Sequence, residues 1–429
     1  MQATPETDPI FPASPSPLNT SLPPGPGRRL GPRPLALHLM LASLKSSGLP
    51  DAWPSSSADW QSLMNRLAQQ DGANAPALGP DAALIHGIAA YRRHPWSRDI
   101  ESPAASWSEG ETLLRDFGGD SKGAAPVLLV PSLVNRASIL DLSAGRSLAR
   151  YLAGAGLRVL LLDWGWPDAQ ARTLDLDALI TGRLASAIEA TIEHAGEGGR
   201  VTLVGYCMGG LLTTAVAQLL PHRIAGLALL ATPWDFHAGM AAPSDMARML
   251  DALEPVMAAS GTMPVDLLQM MFSVADPHAV GEKYRAFGLA AQDSDRARQF
   301  VSIEDWLNDG VPLAAPVARQ CLRDWYGANA PAHGTWRVAG QAILPQTLRL
   351  PCFAAIPDRD RIVPPESALA LASAIPGTTI VKPKAGHIGM VAGASAHHSL
   401  WAPLASWAIG VPAHPTGFRK SRRKVKLLK

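Results

Sequence analysis

The sequence has few cysteines and no long apolar run. Its three cysteines are an odd number, which argues against a disulfide framework and favours a reducing compartment. No apolar run reaches the roughly 18 residues that a membrane-spanning helix needs. The first residues lack the basic start and apolar core of a signal peptide, since they contain Glu6 and Asp8. We therefore expect a cytoplasmic protein without a transmembrane segment.

An excess of charge of one sign is also missing, because 38 Lys and Arg residues face 36 Asp and Glu residues, for a net charge of +2. Seven basic residues lie in segment 418–429, which leaves 31 basic against 36 acidic residues elsewhere, a net charge of −5. Such a tail is typical of a solvated flexible end or of a segment that binds an anionic surface. Without interleaved aromatic residues or a nucleic-acid-binding motif, we expect no nucleic-acid partner. No His, Cys, Asp and Glu cluster has metal-binding spacing, so we expect no metal.

A strand followed by the pattern Gly-x-Cys-x-Gly places Cys207 at a sharp turn. Residues 201–205 are mostly apolar and predict the strand, and a helix is predicted from Leu211 onward. The flanking glycines permit a strained turn that exposes the thiol as a nucleophile. The Met208 amide then lies near a helix N-terminus, where it can stabilise an oxyanion and favour the thiolate. The alternative is a small buried cysteine at a tight turn.

Such a nucleophile elbow requires an acid and then a histidine on loops that follow later strands, and the sequence contains both. Asp358 and Asp360 follow a predicted strand at 352–356, and His387 follows the next predicted strand. The chain order of nucleophile, acid and histidine predicts a triad that contains Cys207, His387 and one of the aspartates. Ordinary turn carboxylates and a hydrogen-bonded loop histidine are the alternatives.

The apolar pattern predicts an α/β protein. An apolar content of 47% in 429 residues is enough for a substantial core. Strands are predicted near 126–130, 158–162, 201–205, 226–231, 352–356 and 378–382. Helices are predicted near 144–155, 175–195, 209–220, 366–374 and 395–408. This alternation is typical of a mostly parallel sheet flanked by helices, and with the elbow it predicts an α/β-hydrolase fold.

Six separated segments resemble the polyhydroxyalkanoate synthases, a family of the α/β-hydrolase superfamily. They occur in the family's order at 131–142, 163–168, 205–210, 232–236, 360–364 and 386–389. The resemblance extends from about residue 95 to about residue 408. Trp306 and Asp309 also stand where the family has a Trp-x-x-Asp element. The Asp-Trp-Gly segment and the short chain most resemble the class whose catalytic subunit works with a second subunit.

The resemblance implies acyl transfer from a 3-hydroxyacyl-coenzyme A to a growing polyester, with release of coenzyme A. It implies that Cys207 carries the acyl chain and that His387 is the base. Asp360 would align the histidine, because it matches the family's Asp-x-Ile-Val-Pro pattern whereas Asp358 does not. Val134 falls where the family's first oxyanion-hole strand ends, so its amide is expected to be the second oxyanion donor. No cofactor is implied, since the coenzyme A thioester is a substrate.

Two other classes of function fit parts of this pattern. A cysteine-dependent hydrolase would keep the triad but admit water, as a thioesterase, a polyester depolymerase or a relative of the dienelactone hydrolases would. The dienelactone hydrolases share the Gly-Tyr-Cys-x-Gly-Gly elbow but are much shorter chains. A non-catalytic accessory protein that binds a synthase or a granule is the second alternative. The intact residues Cys207, Asp360 and His387 argue against it.

The predicted domain organisation surrounds one catalytic core with additions. A disordered Pro/Ser-rich segment is expected at 1–34 and a helical region, with a helical hairpin in residues 35–75, at 35–94. The core would comprise 95–235 and 302–410, the cap 236–301, and the flexible basic tail 411–429. The cap holds seven of the twelve methionines, which are typical of an adaptable surface or, more often, of helical core.

The expected binding partners of this chain are implied by the family resemblance and not by the apolar or charge pattern of the sequence. The expected partners are the 3-hydroxyacyl-coenzyme A substrate, a second synthase subunit, a second copy of this chain and the surface of a polyester granule. We therefore expect granule association within the cytoplasm.

Overall fold

The computed structural model describes residues 29–46, 81–119, 124–195, 199–239, 243–273 and 276–413. Within these residues, an eight-stranded sheet lies at the centre of the molecule. Its strands are β1 (Ala105–Glu109), β2 (Thr112–Asp116), β3 (Val127–Val130), β4 (Val159–Asp163), β5 (Val201–Tyr206), β6 (Ile224–Leu230), β7 (Cys352–Ala355) and β8 (Thr379–Val381). Their spatial order is β1-β2-β4-β3-β5-β6-β7-β8. The strands from β4 to β8 in this order run parallel, whereas β1 and β2 are antiparallel to their neighbours. The predicted fold class is confirmed.

Strand β3 shows why the parallel strands were predictable. Its four residues are all buried, because helices cover both faces of the sheet. Leu128 and Val130 belong to one hydrophobic core, and Val127 and Leu129 belong to another. Side chains that alternate between two cores must both be apolar, which produces the continuous apolar runs in the sequence. The two antiparallel strands were not predicted, because β1 is mostly exposed and its segment Ala-Ser-Trp-Ser-Glu has little apolar pattern.

Helices cover the sheet and build the cap. In the described residues they are α1 (Leu35–Ser46), α2 (Ala82–Arg93), α3 (Leu148–Gly154), α4 (Ala185–His194), α5 (Met208–Leu219), α6 (Pro243–Ser260), α7 (Val265–Ser273), α8 (Ala279–Gly288), α9 (Asp295–Asn308), α10 (Ala315–Gln320), α11 (Pro365–Ala374), α12 (His387–Ala392) and α13 (Ala402–Ile409). Helix α4 continues a π-helical stretch at Leu179–Leu184. No helix in the described part of the chain combines the length and apolar character needed to cross a bilayer.

The cap lies between β6 and β7 and does not end at residue 301. Helix α9 continues through that position, so the predicted boundary falls inside a helix. The short strand Thr262–Met263 pairs with Leu313–Ala314 beyond α9, which joins the two sides of the boundary. Met257 and Met263 are buried in the hydrophobic core, as ordinary helical core would be. The cap has a packed interior, and this interior is continuous with the main hydrophobic core.

The N-terminal region packs against the cap. Helix α2 contacts α8, and Tyr91 meets Tyr284 edge to face at a ring-centroid distance of 5.6 Å. Helix α1 begins at the start of the predicted helical hairpin, whose second helix near 60–67 lies outside the described residues, as do residues 1–28 and 414–429. The prediction of disorder does not hold for residues 29–34, because Arg29 and Arg33 form ion pairs with carboxylates of the cap.

Candidate active site

Cys207 lies in the turn between β5 and α5, at the carboxyl edge of the parallel strands. Its backbone has φ 54° and ψ −125°, in the left-handed half of conformational space that a non-glycine residue rarely adopts. A hydrogen bond of 2.8 Å from its amide to the Leu230 carbonyl joins the turn to β6. The strain exposes the side chain above the sheet, as in a nucleophile elbow.

The glycines of the elbow are required for close packing. A Cβ atom on Gly209 would lie 2.6 Å from the Pro131 carbonyl oxygen, well inside van der Waals contact. A Cβ atom on Gly205 would likewise lie 2.5 Å from the Cα atom of Gly210, in the first turn of α5. The glycines of the pattern Gly-x-Cys-x-Gly therefore allow α5 to pack closely against strands β3 and β5.

His387 and Asp360 meet on the neighbouring loops. The His387 Nδ1 atom lies 2.7 Å from Asp360 Oδ2, and both residues are buried. The other carboxylate oxygen of Asp360 accepts hydrogen bonds of 2.9 Å from the amides of Ile362 and Val363. Asp358 is exposed and does not contact His387. Its Oδ1 atom lies instead 4.0 Å from Arg359 Nε. Of the two predicted candidates, the structure therefore brings Asp360 to the histidine.

The charge on His387 depends on both neighbours. Burial lowers the pKa of this imidazole, but the Cys207 and Asp360 side chains outweigh that effect through charge and hydrogen bonding, and raise it to about 10. With Nδ1 bonded to Asp360, Nε2 is the ring nitrogen available to Cys207. The site is thus suited to hold a charged imidazole beside the Cys207 sulfur, with which it can exchange a proton.

Tyr206 supports this histidine and was not singled out from the sequence. Its ring stacks on the His387 ring with centroids 5.1 Å apart, and its hydroxyl donates to the His387 carbonyl oxygen at 3.3 Å. Burial raises the pKa of Tyr206 well above its usual value, so the hydroxyl keeps its proton. Its position directly before the nucleophile was the available signal, because Tyr206 ends β5 at the same edge of the sheet as Cys207.

The loop after β3 supplies the second candidate oxyanion donor. The Val134 amide faces Ser132 Oγ at 3.5 Å, the long limit of a hydrogen bond, while the Val134 carbonyl accepts from the Val311 amide at 3.1 Å. The Trp164 indole donates to the Pro131 carbonyl at 3.1 Å and fixes the start of the loop. Met208 is the first residue of α5, and the amide at that position has no acceptor within the helix. Met208 therefore follows the nucleophile directly, and Val134 lines the same cavity as Cys207.

A small cavity that is partly open to solvent connects these groups. Its volume is about 70 Å³, and Cys207, His387 and Val134 contribute to its wall. The remaining wall comes from the loop after β3, the strand before the nucleophile, the cap helices α7 and α9 and the loops near the acid and the histidine: Pro131, Ser132, Asn135, Arg136, Ile139, Tyr206, Gln269, Phe272, Trp306, Leu307, Ile362 and Ile388. Trp306 of the Trp-x-x-Asp element is thus a wall residue. Asp309 is not in the wall but pairs with Arg136 at 3.3 Å. The described residues contain no group of three or more His, Cys, Asp and Glu side chains arranged for a metal ion.

Comparisons with known proteins agree on fold and family. The model of the α/β hydrolase fold family matches residues 125–394. The poly(3-hydroxyalkanoate) polymerase subunit PhaC of Synechocystis sp. is 30% identical over 66% of this chain and 77% of its own length. The protein of the same name from Haloferax mediterranei is 29% identical over 66% of this chain and 58% of its own length. Among solved structures, a thermophilic esterase from Thermogutta terrifontis gives a TM-score of 0.43 at 19% identity, with 73% of this chain and 98% of the esterase covered.

Proposed function

The chain belongs to the poly(3-hydroxyalkanoate) polymerase family within the α/β-hydrolase fold, and from that premise we propose that it polymerises 3-hydroxyacyl groups from coenzyme A thioesters. The intermediate is a thioester on Cys207, and free coenzyme A is released at each addition. The observation that carries this proposal is that Cys207, at a strained elbow, lines one cavity with His387, which is hydrogen-bonded to Asp360.

The first step loads the enzyme. The Cys207 thiolate attacks the thioester carbonyl carbon, and the Met208 and Val134 amides stabilise the oxyanion. The new carbon–sulfur bond to Cys207 forms as the bond to the coenzyme A sulfur breaks. The leaving thiolate takes the proton from the His387 imidazolium. The acyl group is then on Cys207, and the imidazole is neutral.

The second step extends the polymer. Neutral His387 accepts the proton of the incoming hydroxyl, and the resulting alkoxide oxygen attacks the Cys207 thioester. The ester bond forms, the carbon–sulfur bond breaks, and the thiolate beside the imidazolium is restored. Asp360 holds the ring and stabilises its positive charge in both steps. The cycle needs no group beyond this chain and the thioester substrates.

A thiol and an apolar cavity wall both favour transfer over hydrolysis. A cysteine thioester retains the activation of the coenzyme A thioester, so a weakly nucleophilic alcohol can still displace it. Much of the cavity wall is apolar, with Ile139, Phe272, Leu307, Ile362 and Ile388 around the reacting groups. Such a wall offers few hydrogen bonds to hold a water molecule beside the thioester, so water competes poorly with a bound alcohol. This argument supports a polymerase rather than a thioesterase.

Partners belong to the same proposal. The relatives are named as polymerase subunits, and we propose that this chain also acts with a second subunit at the surface of its polyester product. A second copy of the chain is the other candidate partner.

Product analysis tests the proposed reaction. Purified protein is incubated with 3-hydroxybutyryl-coenzyme A, with and without a candidate second subunit, beside a Cys207→Ala control. We expect coenzyme A release and an insoluble polyester from the wild type, and neither from the control. A Cys352→Ala variant is the matched control, because Cys352 is a buried cysteine of the sheet outside the cavity. Free 3-hydroxybutyrate without polymer would show a thioesterase, and no release under either condition would overturn the enzymatic proposal.

A further inference from the structure

Asn135 has a buried side-chain oxygen that lacks a hydrogen-bond partner in the catalytic cavity. The Oδ1 atom is buried and unpaired within the part of the chain that the structure describes, and Asn135 is a wall residue. Buried polar atoms are almost always paired, because an unpaired one loses its hydration without compensation. An unpaired acceptor beside Cys207 and His387 is therefore a feature that a bound molecule would explain.

The other polar side chains of the wall are paired within the protein. His387 contacts Asp360, and Gln269 donates to the Leu307 carbonyl at 3.3 Å. Arg136 pairs with Asp309, which lies outside the wall. The Arg136 Nε atom also lacks a hydrogen bond but faces the Asp309 carboxylate at 3.3 Å, whereas the Asn135 oxygen is an acceptor without such a partner in the described residues. A polar group of a substrate that enters the cavity can form a hydrogen bond with Asn135.

The backbone of Asn135 is fixed on both sides. Asn135 forms an isolated β-bridge with Gly310, directly beyond α9, and the Trp306 indole donates to the Arg136 carbonyl at 2.8 Å. These contacts hold the backbone of the loop, which limits the positions that the Asn135 side chain can take before substrate binds. A preorganised acceptor contributes more to selectivity than a mobile one, because less order must be created on binding.

The position of Asn135 next to Val134 suggests which substrate group it meets. A thioester oxygen at the Val134 amide has its carbonyl carbon beside Cys207, and the 3-hydroxyl stands on the second carbon beyond it. An acceptor one residue along the same loop lies in the wall of the cavity that this hydroxyl would enter. We propose that Asn135 is a specificity-determining residue, whose side-chain amide binds the 3-hydroxyl of the entering acyl group. This inference rests on the proposed function. A hydroxyl both donates and accepts, so either orientation of the amide can bind it.

Substrate pairs that differ only in the hydroxyl test this inference. Single-turnover acylation of Cys207 is measured by intact-protein mass spectrometry with 3-hydroxybutyryl-coenzyme A and with butyryl-coenzyme A. The wild type should load the hydroxylated substrate about tenfold faster or more, a ratio typical of one buried hydrogen bond. Asn135→Leu, which removes the polar atoms at similar size, should bring the ratio close to one by slowing the hydroxylated substrate alone.

Matched variants separate specificity from structure. Ile139→Val removes a methyl group from the same wall and no polar atom, so both substrates should change by the same factor. Asn135→Ala should also bring the ratio of the two acylation rates close to one. Agreement between the two variants would show that the effect comes from loss of the asparagine and not from the shape of one replacement. Equal slowing of both acylation rates in the Asn135 variants would overturn the inference. A wild type that loads both substrates at the same rate would also overturn it. Either result would leave the proposed function intact. A wild type that loads neither substrate would overturn the proposed function itself.

Discussion

At the residue scale, the site depends on a charge pair that the protein stabilises before substrate arrives. Burial alone would favour a neutral imidazole, yet Cys207 and Asp360 raise the pKa of His387 to about 10. Asp360 achieves this while its second oxygen is bonded to two backbone amides. The carboxylate therefore has two separate functions, which are to order its own loop and to hold the charged histidine.

Asp360→Asn separates these two functions. An amide oxygen can still accept from the Ile362 and Val363 amides, so we expect the fold to survive. The negative charge is lost, so the His387 pKa should fall from about 10, because burial, which lowers it, is then opposed by Cys207 alone. Cysteine acylation should slow by up to about 10⁴-fold, the loss that this change causes in a serine protease triad.

NMR titration of the His387 ring and single-turnover acylation measure the two effects. Asp358→Asn is the matched control, because that carboxylate belongs to the same loop but is exposed, and neither quantity should change. An unaltered His387 titration in Asp360→Asn would show that the carboxylate charge does not control the imidazole.

At the element scale, the elbow depends on the absence of side chains as much as on the thiol. Gly209 belongs to the first turn of α5, where a Cβ atom would approach the Val130 and Pro131 carbonyls. Gly209→Ala should lower the free energy of unfolding by about 1–3 kcal/mol, as overpacking of a close contact does. Acylation should also slow, because the displaced turn carries the Met208 amide. Chemical denaturation and the acylation assay measure these losses.

A helical glycine with free space supplies the control for that change. No atom lies within 4 Å of a Cβ atom built on Gly182, in the π-helical stretch before α4. Gly182→Ala should leave stability unchanged or raise it slightly, since alanine is the better helix former. A similar loss in both variants would mean that the backbone preference of glycine, rather than the close approach at Gly209, sets the cost.

Two arginines from the N-terminal region hold the cap helices over the cavity. Arg29 binds both carboxylate oxygens of Asp305 on α9 at 2.6 and 2.8 Å, and Arg33 lies 2.7 Å from Asp266 on α7. Because α7 and α9 provide Phe272 and Trp306 to the cavity wall, loss of these pairs should open it more often.

The Arg29→Ala/Arg33→Ala variant should therefore show faster alkylation of Cys207 by iodoacetamide, by roughly fivefold for about 1 kcal/mol of lost contact. Arg298→Ala removes an exposed ion pair with Asp295 on the same helix α9 and should leave the rate unchanged. Equal rates in the double variant and the wild type would show that the arginines do not restrain the cap.

The parallel strands and the triad candidates were predictable, whereas the cavity wall was not. Strand β3 is apolar at every position, and Cys207 follows a similar strand in a short local motif. Asn135 and Phe272 lie far apart in sequence and line one cavity only because the cap folds over the loop after β3. No local pattern specifies such an arrangement. The disorder predicted for residues 29–34 failed for the same reason, since the carboxylates that bind Arg29 and Arg33 are more than 200 residues away.

At the scale of the whole molecule, the cavity is too small for the reaction that we propose. A volume of about 70 Å³ has room for a few water molecules. An acyl group with its pantetheine arm needs far more space, and so does a growing polyester. The sheet is buried between two hydrophobic cores and cannot yield without loss of the fold. Because α7 and α9 form the opposite wall of the cavity, we expect these cap helices to move when substrate enters.

Hydrogen exchange of the Cys207→Ala protein tests this motion, because that variant can bind a thioester without being acylated. On addition of 3-hydroxybutyryl-coenzyme A, amides in α7 and α9 should exchange faster, whereas those of β3 and β5 should not change. Free coenzyme A, which lacks the acyl group, is the control for binding outside the cavity. Unchanged exchange in both helices, under conditions where binding is measured independently, would mean that substrate enters by another route. Faster exchange in the sheet strands as well would instead indicate loosening of the entire fold, because those strands lie in the two cores and can exchange only when the cores open.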